Sequence, residues 1–132
     1  MAIQLAVSTR NARLDAIETD TGVSAIMKIR TGAQPASCAT ADSGTVLATL
    51  NLPSDWLAAA SAGVKGKAGT WSDLSADAGG TIGHFRVYKS DGTTCIIQGT
   101  AGTSGDLTTD SATTTAGQQF TVTQFDLTDG NA

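Results

Sequence analysis

Charge and aromatic rings are what this chain has least of. Only 15% of its 132 residues are Asp, Glu, Lys or Arg, and only 5% are Phe, Trp or Tyr. The first shortage argues against a helical bundle, whose outer faces are normally laced with charged residues. The second means that a core must be built from Val, Ile, Leu and Ala around a few large anchors. There is one histidine, His84, and there are two cysteines, Cys38 and Cys95, with no Cys-x-x-Cys pair. A zinc site therefore lacks its ligands, and no metal or cofactor is expected. Two thiols so far apart in sequence define neither a disulfide nor a metal site by spacing, and buried free thiols are the plain reading.

Positive charge is also scarce. Eight Lys and Arg face twelve Asp and Glu, for a net charge of −4 and a pI near 4.6. The basic residues are scattered, which excludes nucleic acid or an anionic membrane surface as the expected partner. No apolar run approaches the ~20 residues that span a bilayer. Met1 to Arg10 shows no basic stretch ahead of an apolar one, so no signal peptide is read and production in a cytoplasm is expected. Catalytic signatures are missing too. No Gly-x-Ser-x-Gly elbow accompanies His84, which reads as a surface or interface side chain. Gly99-x-x-Gly102-x-x-Gly105 lacks the Lys-Ser/Thr pair and following helix of a phosphate loop and reads as a turn. Asp73, Asp77, Asp106 and Asp110 lie in Gly- and Ser-rich loops, where solvated carboxylates are a simpler reading than a calcium site. No catalytic residue is assigned.

What is present is small, polar and β-forming. Thr, Ser and 15 Gly dominate, the composition of an all-β domain with many turns. The clearest element runs from Gly83 to Gly99. His84–Lys89 and Thr94–Gln98 are β-rich runs joined at Ser90-Asp91-Gly92, and Asp-Gly is a strong hairpin signal because Gly accepts positive φ. Phe85 and Val87 share one face of the first run, with His84, Arg86 and Tyr88 on the other.

The remaining elements follow in order. Val7 to Asp20 is the one helical segment, capped by Ser8 or Thr9 and ended at Gly22. Its acidic Asp15, Glu18 and Asp20 lie at the end that the helix dipole disfavours, so packing against a sheet must hold it. Ser24–Arg30 and Thr45–Leu52 read as strands, and Ala36 to Gly44 between them as a surface loop. Asp55 to Gly63 is a loop or short helix. Val64–Trp71 reads as an edge strand with Lys65 and Lys67 as edge protection. A short strand near Leu107–Thr109 precedes Gln119–Leu127, whose change of apolar phase implies a bulge near Thr123-Gln124. Trp56 and Trp71 read as core anchors first, with a ligand-stacking or subunit-interface role second. The expected fold is all-β: one domain over residues 1–132, a jelly-roll-like antiparallel β-sandwich of seven or eight strands, with the N-terminal segment and helix in residues 1–22.

Several stretches together resemble a family of small structural proteins of tailed bacteriophages. They are Arg10-Asn11-Ala12-Arg13-Leu14-Asp15-Ala16-Ile17, Ile29-Arg30-Thr31-Gly32-Ala33-Gln34-Pro35, Gly44-Thr45-Val46-Leu47-Ala48, Gly79-Gly80-Thr81-Ile82-Gly83-His84-Phe85-Arg86-Val87, and Gly117-Gln118-Gln119-Phe120-Thr121-Val122-Thr123. The resemblance implies a virion component made in the host bacterial cytoplasm: a capsid decoration (cement) protein, or a neck, collar or tail-fibre attachment module. Its implied partners are further copies of itself, with a trimer favoured, and the major capsid or neck and tail proteins. Ile3, Leu5, Val7, Trp56 and Trp71 are the candidate interface residues. A carbohydrate-binding module using Trp56, Trp71 and Tyr88, or a small hydrolase using His84, are the alternative expectations.

Overall fold

The computed structural model describes residues 3–130. One helix, α1 (Val7–Thr21), is followed by ten strands: β1 (Ile26–Arg30), β2 (Val46–Asn51), β3 (Val64–Gly66), β4 (Trp71–Asp73), β5 (Gly80–Thr81), β6 (His84–Tyr88), β7 (Cys95–Gly102), β8 (Leu107–Thr109), β9 (Thr113–Thr114) and β10 (Phe120–Thr128). Seven of them form one continuous path, β2-β1-β6-β7-β8-β10-β3, with β4 also pairing with β10. The path curls into a half-barrel. Its free side is partly closed where Thr49 N donates to the Asp73 carboxylate (2.9 Å) and Asp77 N donates to Leu47 O (2.8 Å).

The β6–β7 hairpin sits at the centre of this path, as its sequence suggests. Gly92 takes φ +70° in the turn, and the Asp91 carboxylate accepts from the amides of Thr93 (2.9 Å) and Thr94 (2.8 Å). Those bonds and that of the Thr94 hydroxyl, the largest, hold the Asp91 carboxyl down at about 2. The bulge in the last strand is also where the phase change places it, between Val122 and Gln124.

Three expectations are corrected. The sheet is mixed rather than antiparallel, because β7 and β8 pair in parallel at Ala101↔Leu107 and Gly102↔Thr108. Parallel neighbours ordinarily need a long crossover. Here the chain coils back through residues 103–106, held because the Asp106 carboxylate accepts from both the amide and the hydroxyl of Thr100 (2.9 Å each). Second, Val64–Trp71 is two strands, not one: Gly69 at φ +71° turns the chain between β3 and β4. Third, the helix has no side-chain cap. Its cap position is Ala6, upstream of Ser8 and Thr9.

The core lines the concave side of the curl. Met27, Ile29, Leu47, Leu50, Leu57, Val87, Leu107 and Val122 are fully or almost fully buried there. Four rings run through it: Trp56 to Trp71 at 5.7 Å, Trp71 to Phe125 at 5.6 Å, and Phe125 to Phe85 edge-on at 5.5 Å between centroids. Such tilted and T-shaped pairs contribute beyond the area they bury. Trp56 and Leu57 therefore plug the core from an irregular segment, and that segment contains no helix.

Helix α1 is attached differently. It buries only Leu14 and Thr21. Residues 57–67 form a small hairpin bridged at Leu57↔Lys67 and Ser61↔Val64. Its turn places both Ala62 (φ 54°) and Gly63 (φ 75°) at positive φ, the type I′ geometry that suits strand twist. This hairpin grips the helix by polar contacts. Gly63 N donates to Asn11 (2.9 Å), Ala60 N to Asp15 (3.1 Å) and Leu57 N to Glu18 (3.3 Å). Lys65 Nζ reaches Asp15 at 2.7 Å and Glu18 at 3.0 Å. Lys65 is thus not an edge guard but a buried cation with 2% of its side chain exposed. The acidic residues that disfavour the helix end serve as its anchors.

Candidate functional site

The outer face of the β1–β6–β7 region carries a dense cluster of polar side chains. Alternation along β6 points His84, Arg86 and Tyr88 away from the apolar core, and all five residues of the strand are nevertheless buried. The reason is the segment 31–45: Ala36 to Gly44 is the surface loop expected, exposed except for half-buried Cys38, and the segment folds back over this face. His84 is covered by it, with Nδ1 2.9 Å from Gly32 O, so the expected surface histidine is fully buried. Arg86 places Nη2 within hydrogen-bond distance of three carbonyls of the segment, Ser37 (3.1 Å), Cys38 (3.0 Å) and Thr40 (3.1 Å). Gln98 on the adjacent strand donates to Pro35 O (2.7 Å).

One carboxylate closes the arrangement. Asp42 accepts from Arg86 Nη1, from Arg30 Nη2 at 2.9 Å and from the Tyr88 hydroxyl at 2.7 Å. Burial acts to raise the Asp42 pKa, but the hydrogen bonds from Tyr88 and Arg86 and the two nearby guanidinium charges outweigh it and hold the carboxyl below its ordinary range. Burial, and then the bond to Asp42, push the Tyr88 phenol up to about 12. Burial likewise works against the Arg86 charge, and Asp42 and Cys95 together more than restore it. The Nη groups of Arg30 and Arg86 and the Tyr88 hydroxyl are thereby spent on Asp42 or on backbone carbonyls, while the buried Nε atoms of both arginines and Nε2 of His84 have no hydrogen-bond partner among the described residues. Chemically this is a clamp that fastens a loop to a sheet.

Beside the clamp lie the two thiols. Cys38 Sγ and Cys95 Sγ are 3.0 Å apart, both half-buried and unlinked. Burial pushes the Cys95 thiol up to about 12, with Cys38 beside it adding to the shift and Arg86 opposing it.

The candidate interface residues divide into two groups. Ile3 and Val7 are exposed at 86% and 47%, and Leu5 between them is half-buried. Trp56 and Trp71 are fully buried core residues, so they are withdrawn from any surface role. Tyr88 is equally buried, which leaves none of the three rings proposed for stacking on sugar in contact with solvent. The four loop aspartates are dispersed: Asp73 and Asp77 brace Thr49, Asp106 binds Thr100, and Asp110 accepts from Thr121 N at 3.5 Å. Among the described residues no three His, Cys, Asp or Glu side chains come together as a metal site. A cleft of about 540 Å³ lies between α1 and residues 54–65, with Asp15, Glu18 and Asp55 on its walls. Its one cation, Lys65, is already saturated by Asp15, Glu18 and Ala58 O (2.9 Å).

Sequence reasoning missed the clamp itself. The only available signal was three polar residues alternating with core residues in β6, opposite a segment holding a single carboxylate. Among the described residues, no helix is long and apolar enough to cross a membrane.

Fold and site together define a small, mostly β protein with one appended helix, whose polar chemistry is turned inward to fix its own loop. Compared with family models, curated proteins and solved structures, the chain matches none.

Proposed function

We propose that the chain is a non-enzymatic structural protein of a tailed-bacteriophage virion, a capsid decoration protein that self-associates as a trimer and seats on the head lattice. A neck, collar or tail-fibre attachment role is the nearest alternative within the same class. The observation that carries the reading is the placement of α1 and the arm before it. A helix that buries only Leu14 and Thr21 adds little to the core of one chain. The arm leading into it holds Ile3 in water, and the helix's own first residue, Val7, is exposed as well. Apolar side chains kept exposed on an element that the core does not need suit a surface that a partner covers.

The resemblance across five short stretches supports the same reading, as does a polar cluster whose Asp42 and Arg86 bonds fasten the chain's own loop. The curl supports a finer one, a jelly-roll-like sandwich. In it, the β2-β1-β6-β7 half and the β8-β10-β4 half share the aromatic core that joins Phe85 to Phe125.

Native mass of the full chain and of a variant lacking residues 2–7 tests the proposal, together with co-sedimentation on assembled heads. A discrete trimer that binds heads is expected, and the deletion should give a folded monomer. A strict monomer that leaves heads bare refutes the reading, and so does unchanged assembly of the deletion variant.

A further inference from the structure

The two cysteines take no part in the proposed interface. Cys38 lies in the covering segment, on a turn closed by Thr40 N donating to Ser37 O at 3.0 Å. Cys95 opens β7, in register with Tyr88. They are 57 positions apart in sequence, yet their sulfurs are 3.0 Å apart. A disulfide needs about 2.05 Å, so the remaining approach is about 1 Å, within the reach of side-chain rotation. The surroundings hold the pair together chiefly through the backbone, beside a contact of Cys95 Sγ with Ile97 O at 3.5 Å. Arg86 fixes the backbone at Ser37, Cys38 and Thr40, and Gln98 fixes Pro35. Two thiols meeting by chance on mobile loops would have no such scaffold.

We propose that Cys38 and Cys95 form a two-electron oxidation site, closed by peroxide-class oxidants into an intrachain disulfide that fastens the 31–45 segment over the Arg30–Asp42–Arg86 cluster. Hydrogen peroxide oxidises one thiol to a sulfenic acid and is itself reduced to water. The second sulfur then attacks the first; the S–S bond forms as the S–O bond breaks, and the departing hydroxide leaves as water with the second thiol's proton. Two thiols and one peroxide thus give one disulfide and two waters. Burial holds the Cys95 thiol protonated, and because the thiolate is the attacking species this slows closure of the bond without preventing it. The bond would stay open in a glutathione-reduced cytoplasm and close outside it.

The full chain, purified in reductant, desalted and treated with excess hydrogen peroxide, provides the test by intact mass and by thiol alkylation after denaturation. A loss of about two mass units, two hydrogens per chain, is expected, with both thiols blocked together and restored by dithiothreitol. A tryptic map should join the Cys38 and Cys95 peptides. Thiols that remain alkylatable, oxygen added to a single sulfur, or a bond between two chains would each overturn the proposal. So would the same two-unit loss in a Cys38→Ser variant.

Discussion

Replacing Asp42 by Ala probes the clamp at the point where its bonds converge. Arg86 and Arg30 keep only 2% and 8% of their side chains in water, so removing the carboxylate strands two neighbouring cations beneath the loop and leaves the Tyr88 hydroxyl without its acceptor. Breaking a buried ion pair in this way costs about 3–5 kcal/mol. Asp42 itself is 37% exposed, so water can enter its place, and a cost of about 2–4 kcal/mol is the expectation. With a urea slope of about 2 kcal/mol per molar, the unfolding midpoint should fall by about 1–2 M at an unchanged slope. Asp42→Asn keeps an acceptor oxygen and loses the charge, so it should cost about 1–2 kcal/mol. The pH profile separates electrostatics from packing. Because the folded-state pKa of Asp42 lies below its ordinary 3.8, its contribution is complete above that value and is lost as pH falls through the depressed one. The parent and Asp42→Asn proteins should therefore differ at pH 7 and converge as acid protonates the carboxyl. A change under about 0.5 kcal/mol in Asp42→Ala, or stability curves that stay parallel into acid, would refute the clamp.

Two further perturbations test the way the helix and the cover are attached. Lys65→Ala removes the buried cation shared by Asp15 and Glu18; these carboxylates can hydrate, so the cost is about 2 kcal/mol, and amide exchange should speed up in α1 before the sheet. Equal exchange rates in α1 and β6 would contradict an attachment by polar grip. Gly83→Ala places a methyl group 2.1 Å from Gly32 O and 2.6 Å from Gly32 N, a clash of backbone with backbone. A loss of more than about 3 kcal/mol, or of soluble protein altogether, is expected, and a normal urea midpoint would show that the two segments do not pack as closely as described.

Local chemistry made some of this fold readable before any coordinates. The helix, the Asp91-Gly92 turn, the bulge near Gln124 and the core role of Trp56 all depend on residues close to one another in sequence, where spacing and turn preference act directly. The misses have the opposite character. Asp42 meets Arg86 across 44 positions, and nothing in Ala36 to Gly44 announces that it covers a strand. His84, Arg86 and Tyr88 therefore looked like a solvated face because alternation reports which residues share a side, not what lies over that side. Lys65 misled for the same reason, since its partners Asp15 and Glu18 lie on a helix some fifty positions upstream. The parallel β7–β8 contact depends on a carboxylate, Asp106, closing a loop onto Thr100, and strand periodicity carries no trace of it. The two-residue strands β5 and β9 are too short to show a period.

The seam where the half-barrel stops also bears on how the protein behaves at high concentration. An open sheet margin normally offers free amides and carbonyls on which a strand from another molecule can grow. Along β2 two of those positions are already taken: the Asp73 carboxylate occupies the amide of Thr49, and the amides of Asp77 and Ala78 occupy the carbonyl of Leu47, at 2.8 and 3.3 Å. An incoming strand would have to displace a carboxylate and a loop before making its first ladder bonds. Runaway fibre growth from this margin is thereby discouraged, and the protein can be concentrated without β2 acting as a template.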